Sequence, residues 1–116
     1  MDDDQRGGRV LLVDDDAMIR MLAGESLRHA GFAVSEADCG EQAVRLFDAQ
    51  EFDLIVLDVM MPGVDGYQVS RRIRQHERGQ WLPILMLTGL NDGESIELAY
   101  RSGATDFINK PVNWLL

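Results

Sequence analysis

The sequence predicts a doubly wound α/β fold, a five-stranded parallel sheet with helices on both faces. Three observations predict it. Short apolar runs rich in Val, Ile and Leu recur without alternating, as strands buried on both faces do. Between them the apolar period changes to that of a helix. The order is five rounds of strand then helix, and right-handed crossovers make such an order a parallel sheet.

The first strand is "VLLV" at Val10–Val13. Ile19, Leu22, Ala23, Leu27 and Ala30 then share one helical face, and Gly31 follows as a natural helix stop. "FAVSEA" at Phe32–Ala37 alternates, as an edge strand would. Ala43, Val44 and Phe47 mark a second helix after "CGE". "LIVL" at Leu54–Leu57 is the third strand, and Val69 and Ile73 anchor a helix in "GYQVSRRIRQHE". "PILML" at Pro83–Leu87 is the fourth strand. "GESIELAYRS" follows it, with Ile96, Ala99 and Tyr100 on the apolar side and Gly103 as its end. "TDFIN" at Thr105–Asn109 is a weaker fifth strand, and a fifth helix starts after Pro111 with "VNWLL".

Composition bounds the function. The chain has 116 residues, of which 46% are hydrophobic and 27% charged, enough for one domain with a real core. No apolar run approaches the ~20 residues of a membrane span. "MDDDQRGG" lacks the basic-then-apolar pattern of a signal peptide and reads as a solvated acidic tail over residues 1–8, with the domain proper at 9–116. A single cysteine, Cys39, excludes an internal disulfide, suits a reducing cytoplasm and reads as a small filler near a helix start. The net charge of −9 suits a cation or a basic partner surface and makes this chain alone a poor nucleic-acid binder, so no direct nucleic-acid binding by this domain is expected.

Doubly wound sheets place their sites beyond the carboxyl ends of the strands. There the sequence offers Asp14-Asp15-Asp16, Asp58, Thr88-Gly89 and Asn109-Lys110-Pro111. Asp16 can cap the first helix. Asp14, Asp15 and Asp58 remain as a carboxylate cluster whose members raise one another's pKa unless positive charge sits among them. Lys110 supplies one such charge. A hard divalent cation would supply two more, since carboxylate oxygens are its ligands and magnesium commonly bridges carboxylates to phosphate. One screened carboxylate could then attack phosphorus.

The chain resembles the receiver domain of two-component response regulators, chemotaxis regulators included. The resemblance runs from about Arg9 to the end and is carried by "VLLVDDD", "DLIVLDVMMPGVDG", "LMLTG" and "SGATDFINKPV", in that order. It implies a flavodoxin-like strand order 2-1-3-4-5. It implies Asp58 as phosphoacceptor, with Asp14, Asp15, Asp58 and the backbone carbonyl of Met60 as ligands of Mg2+. It implies Lys110 as the phosphoryl partner, with a cis Lys110–Pro111 peptide. Thr88 and Phe107 become switch residues, Gly89 a backbone donor to the phosphoryl group, and Pro62 and Gly66 the shapers of the loop after Asp58. Gly89 stands where the family commonly has alanine, and Phe107 where it commonly has tyrosine. Met60 and Leu90 are apolar where similar domains line the path of the hydrolytic water, which implies a slow loss of phosphate.

The function implied is a cytoplasmic switch rather than a metabolic enzyme, catalysing only its own phosphorylation and dephosphorylation. A sensor histidine kinase or histidine phosphotransfer protein would supply the phosphoryl group. An output domain or effector would read the face of helix 4, strand 5 and helix 5, and a homodimer is a further partner the resemblance allows. No membrane partner is implied. The fifth helix stops early, as in a segment of a longer protein. A magnesium-dependent phosphatase is the rival reading, but it usually needs a second acid two residues after the first, and Met60 stands there. A flavodoxin-like cofactor binder would need a phosphate-cradling loop where three aspartates stand. His29, His76 and the basic run "RRIRQHER" read as solvated helix surface, and Trp81 and Trp114 as packing or interface residues.

Overall fold

The computed structural model describes residues 8–89 and 93–110. The acidic segment before Gly8, Leu90, the Lys110–Pro111 peptide and the expected fifth helix with Trp114 lie outside the described residues. The elements run β1 (Arg9–Val13), α1 (Ala17–His29), β2 (Ala33–Ala37), α2 (Gly40–Ala49), β3 (Leu54–Asp58), α3 (Gly66–Gln75), β4 (Ile84–Thr88), α4 (Gly93–Arg101) and β5 (Asp106–Asn109). A 3₁₀ turn at Glu77–Gly79, which the helical period did not foretell, separates α3 from β4.

All strand pairs are parallel and the order is β2-β1-β3-β4-β5. Strands 1, 3 and 4 are central and covered on both faces, which is why their sequences are continuously apolar. On one face Leu11, Val13, Ile55, Leu57, Ile84 and Met86 pack with Phe47, Val69, Ile73 and Ala99 from the helices. On the other, Val10, Leu12, Val56 and Leu87 pack with Ala23 of α1, flanked by Leu27 and Val34. No helix among the described residues is long and apolar enough to cross a membrane.

Helix boundaries follow local chemistry. Asp16 caps α1, its carboxylate accepting from the N–H groups of Met18 and Ile19. Asp65 and Gln68 form a reciprocal capping box at α3. Gly31, at φ +105°, ends α1 with Phe32 N–H donating back to Leu27 O. Gly103, at φ +102°, does the same for α4 through Ala104 and Ala99. The buried stripe of α1 is narrower than its apolar period suggests. It runs over Ala23 and Gly24, small residues that let the helix approach the sheet, and leaves Leu22 at its margin, 44% exposed.

Candidate functional site

Parallel strands end together, so the residues after β1, β3, β4 and β5 share one edge of the sheet. Register places Val13 beside Leu57, Asp58 beside Leu87 and Thr88 beside Asn109. Asp14 therefore emerges next to Asp58, and Lys110 leaves the far side of the same edge. Its backbone N–H is anchored on Thr88 O at 2.7 Å. Its ammonium reaches across to Asp58 Oδ1 at 2.9 Å and Asp14 Oδ2 at 3.0 Å. Asp14 and Asp58 are buried, Asp15 is exposed, and all three offer a carboxylate oxygen within 4.8 Å of one another.

Asp14 is held by identifiable bonds. Asp14 N–H donates to Ala37 O on β2, and its Oδ1 accepts from Asp16 N–H at 2.9 Å. Arg20 Nη1 donates to Asp14 O at 2.8 Å. Below Asp58 the chain turns sharply, and a Cβ at Gly66 would collide with Asp58 O and the Val59 backbone. That close approach, with Gly66 N–H donating to Val59 O at 3.0 Å, explains the glycine.

Burial lifts the Asp58 carboxyl from 3.8 to about 6; the nearby Asp14 and Asp15 charges add to this, while the Lys110 hydrogen bond and charge oppose it. Burial pulls Lys110 down, but hydrogen bonds and charges from Asp58 and Asp14 outweigh it and hold the ammonium above its ordinary value. One monovalent cation thus serves two buried carboxylates, with a third exposed beside them. A hard oxygen-loving cation fits this donor set, since it would relieve the remaining repulsion.

Thr88 is buried at the end of β4, and Gly89 follows it on the surface. A Cβ at Gly89 would meet nothing within 4 Å, so sterics do not demand glycine there. Phe107 is half-buried against the core, its ring edge-on to Tyr100 with centroids 5.8 Å apart. The Met60 side chain is 62% exposed at the rim, and Pro62 is exposed in the same loop.

A family model of the response regulator receiver domain matches residues 10–114. The chain belongs to that family. The transcriptional regulatory protein AfsQ1 of Streptomyces coelicolor is 45% identical over 103 residues, covering 89% of this chain and 44% of that protein. The DNA-binding dual master transcriptional regulator RpaA of a Synechocystis species is 40% identical, covering 89% and 43%. The receiver domain thus spans less than half the length of these relatives. Among solved structures, the chemotaxis protein CheY4 of Vibrio cholerae superposes with a TM-score of 0.88 at 34% identity, covering 91% of this chain and 88% of that one. A putative response regulator from Chloroflexus aurantiacus gives 0.87 at 36% identity, covering 92% and 88%.

Three basic residues escaped the sequence reading. Arg20 contacts the site through Asp14 O. The signal for it was position alone, one turn into the helix that follows the acidic loop. Arg74 is not the solvated surface expected of "RRIRQHER", and Arg78, though exposed, is bonded to backbone. Arg74 donates to Gly103 O, Gly79 O, Leu82 O and Thr105 Oγ1. Arg78 donates to Phe47 O, Asp48 O and Gln50 O at the end of α2. His76 is likewise more than surface. Its Nδ1 accepts from Arg78 N–H, and its ring stands edge-on to Phe47. Arg71 and Arg72 are exposed, as expected. Trp81 is 90% exposed, which removes the packing alternative for it.

Proposed function

We propose that this receiver domain is a phosphorylation-controlled switch with Asp58 as phosphoacceptor. The observation that carries the reading is the Lys110 ammonium bridging the Asp14 and Asp58 carboxylates at the strand ends. The donor is phosphohistidine on a sensor kinase or phosphotransfer protein. A carboxylate oxygen of Asp58 attacks phosphorus. The new P–O bond forms as the P–N bond breaks, and the electron pair leaves on the imidazole nitrogen.

Asp14, Asp15, Asp58 and the Met60 carbonyl would hold Mg2+. When bound, the ion would supply positive charge that screens the carboxylates and the charge of the transferring phosphoryl group. Lys110 pairs with the phosphoryl group as its bond to Asp58 loosens. The Thr88 hydroxyl and the Gly89 N–H donate to phosphoryl oxygens. Lys110 is tied to Thr88 O through its backbone, so movement at the site is passed to β4 and β5 together. Phe107, on β5 against Tyr100 of α4, is where that movement meets the face read by an output domain or effector. The domain acts in the cytoplasm and turns over no metabolite.

The test is intact mass after incubation with acetyl phosphate and Mg2+. The wild type gains one phosphoryl group and Asp58→Ala gains none. An adduct of unchanged yield in Asp58→Ala would remove Asp58 as the acceptor.

A further inference from the structure

We propose that Arg20 is a positioning residue for the cation site, holding the Asp14-Asp15 turn in ligating geometry through the Asp14 carbonyl. The inference rests on the Mg2+ reading above and names a residue outside its ligand set.

Asp14 lies one residue past the end of β1, so its carbonyl has left the sheet ladder, and α1 begins only at Ala17. A buried carbonyl in such a gap needs a partner. Arg20 supplies it from the first turn of α1, Nη1 donating to Asp14 O at 2.8 Å. The same residue's N–H closes the first helical bond to Asp16 O at 3.0 Å. Residues 14–20 thus form a loop closed through the guanidinium, with the helical bond closing residues 16–20 within it. Asp15 sits inside that closed loop. It is exposed and makes no hydrogen bond or ion pair among the described residues, so its orientation comes from its neighbours' backbone.

Arg20 is itself held in place. Its side chain is 21% exposed, and its Nε lies 3.6 Å from Glu36 Oε1 on β2. Glu36 places a negative charge beside the guanidinium and offsets a cation so close to a cation site. The other groups around the Asp14 carboxylate, Asp16 N–H and Lys110, fix the side chain but not the carbonyl. Among the described residues, Arg20 alone bonds the carbonyl side of the peptide that leads into Asp15. Support of this kind beyond the ligands is worth roughly tenfold or more in metal affinity.

Charge and positioning predict opposite signs. If Arg20 acted only as a nearby positive charge, removing it would tighten Mg2+ binding. If it positions the turn, removing it weakens binding. The measurement is calorimetric titration of Mg2+ into the wild type, Arg20→Met, Arg20→Lys and Asp15→Asn, each first checked for a cooperative thermal transition.

Arg20→Met keeps the length and loses the donors, and is expected to bind Mg2+ about tenfold more weakly. Arg20→Lys keeps one charged donor able to reach the carbonyl, and should recover most of that loss. Affinity in Arg20→Met equal to or tighter than wild type overturns the inference, as does a Lys variant no better than Met. A wild type that binds no Mg2+, or binds it equally well in Asp15→Asn, overturns the metal reading instead.

Discussion

The two ends of the sheet use charge in opposite ways. At the carboxyl ends of the strands, Lys110 is shared between two buried carboxylates, and Asp58 keeps its proton to about 6. At the amino ends, Arg74 spends its guanidinium on three carbonyls and a hydroxyl, tying α3 to the turn before β4 and to the α4–β5 connection. Ser70, one turn earlier on α3, donates to Ser102 O at 2.8 Å beside it. Thr105 Oγ1 accepts from Arg74 and from Ile84 N–H, joining β4 to the same network. The first end is under-compensated and can gain by taking up a cation. The second is saturated and has nothing to gain from a ligand. The proposed switch would draw on both, since movement at one end of α4 and β5 acts on a partner only if the other end is pinned.

The largest expected effect lies at the saturated end. Arg74→Ala removes four hydrogen bonds and leaves carbonyls unpaired, so it should cost about 2–4 kcal/mol in urea unfolding. A loss below about 0.5 kcal/mol would mean water replaces the guanidinium freely and the contrast fails.

Next comes Asp58→Asn in chelator. The folded carboxyl is raised from 3.8 to about 6, so folding favours its protonated form. Its stabilising contribution is complete below about pH 4 and is lost as pH rises through about 6. The Asn variant should therefore be more stable than wild type by roughly 1–3 kcal/mol at pH 8, and the gap should close near pH 3.5. Unfolding curves across that range check it, and equal stability at pH 8 contradicts an under-compensated site.

Mg2+ sharpens the same point. At tenfold excess over its dissociation constant it should stabilise the wild type by about 1.4 kcal/mol. Arg74→Ala should keep this increment and Asp15→Asn should lose most of it. If Arg74→Ala loses the increment as well, the two ends are not independent.

The smallest effect is expected for Arg78→Ala, about 1 kcal/mol. Its guanidinium lies over the Phe47 ring at 5.1 Å and bonds the last carbonyls of α2, but from an exposed position. Amide exchange should quicken in the last turn of α2 while the strand ends at Asp14 and Asp58 stay unchanged. Faster exchange at Asp14 would show that the two regions communicate.

The sequence by itself determined the strands, the helices and the edge on which the acids gather. Continuous apolar runs of four or five residues, separated by stretches of helical period, read as strands buried on both faces, and parallel strands end together, so Asp14, Asp58, Thr88 and Lys110 were expected to converge. The glycines at 31 and 103 were legible as helix stops because few other residues adopt φ above +100°. Tertiary structure alone decided what the arginines do. A guanidinium is long and carries five donors, so its partners are set by which carbonyls other elements leave open nearby, not by its neighbours in the chain. Arg71 and Arg72 face solvent while Arg74 binds three backbone carbonyls, all within one basic run. Arg20 reads as an ordinary helix residue until β1 ends one residue before Asp14 and leaves a carbonyl within its reach.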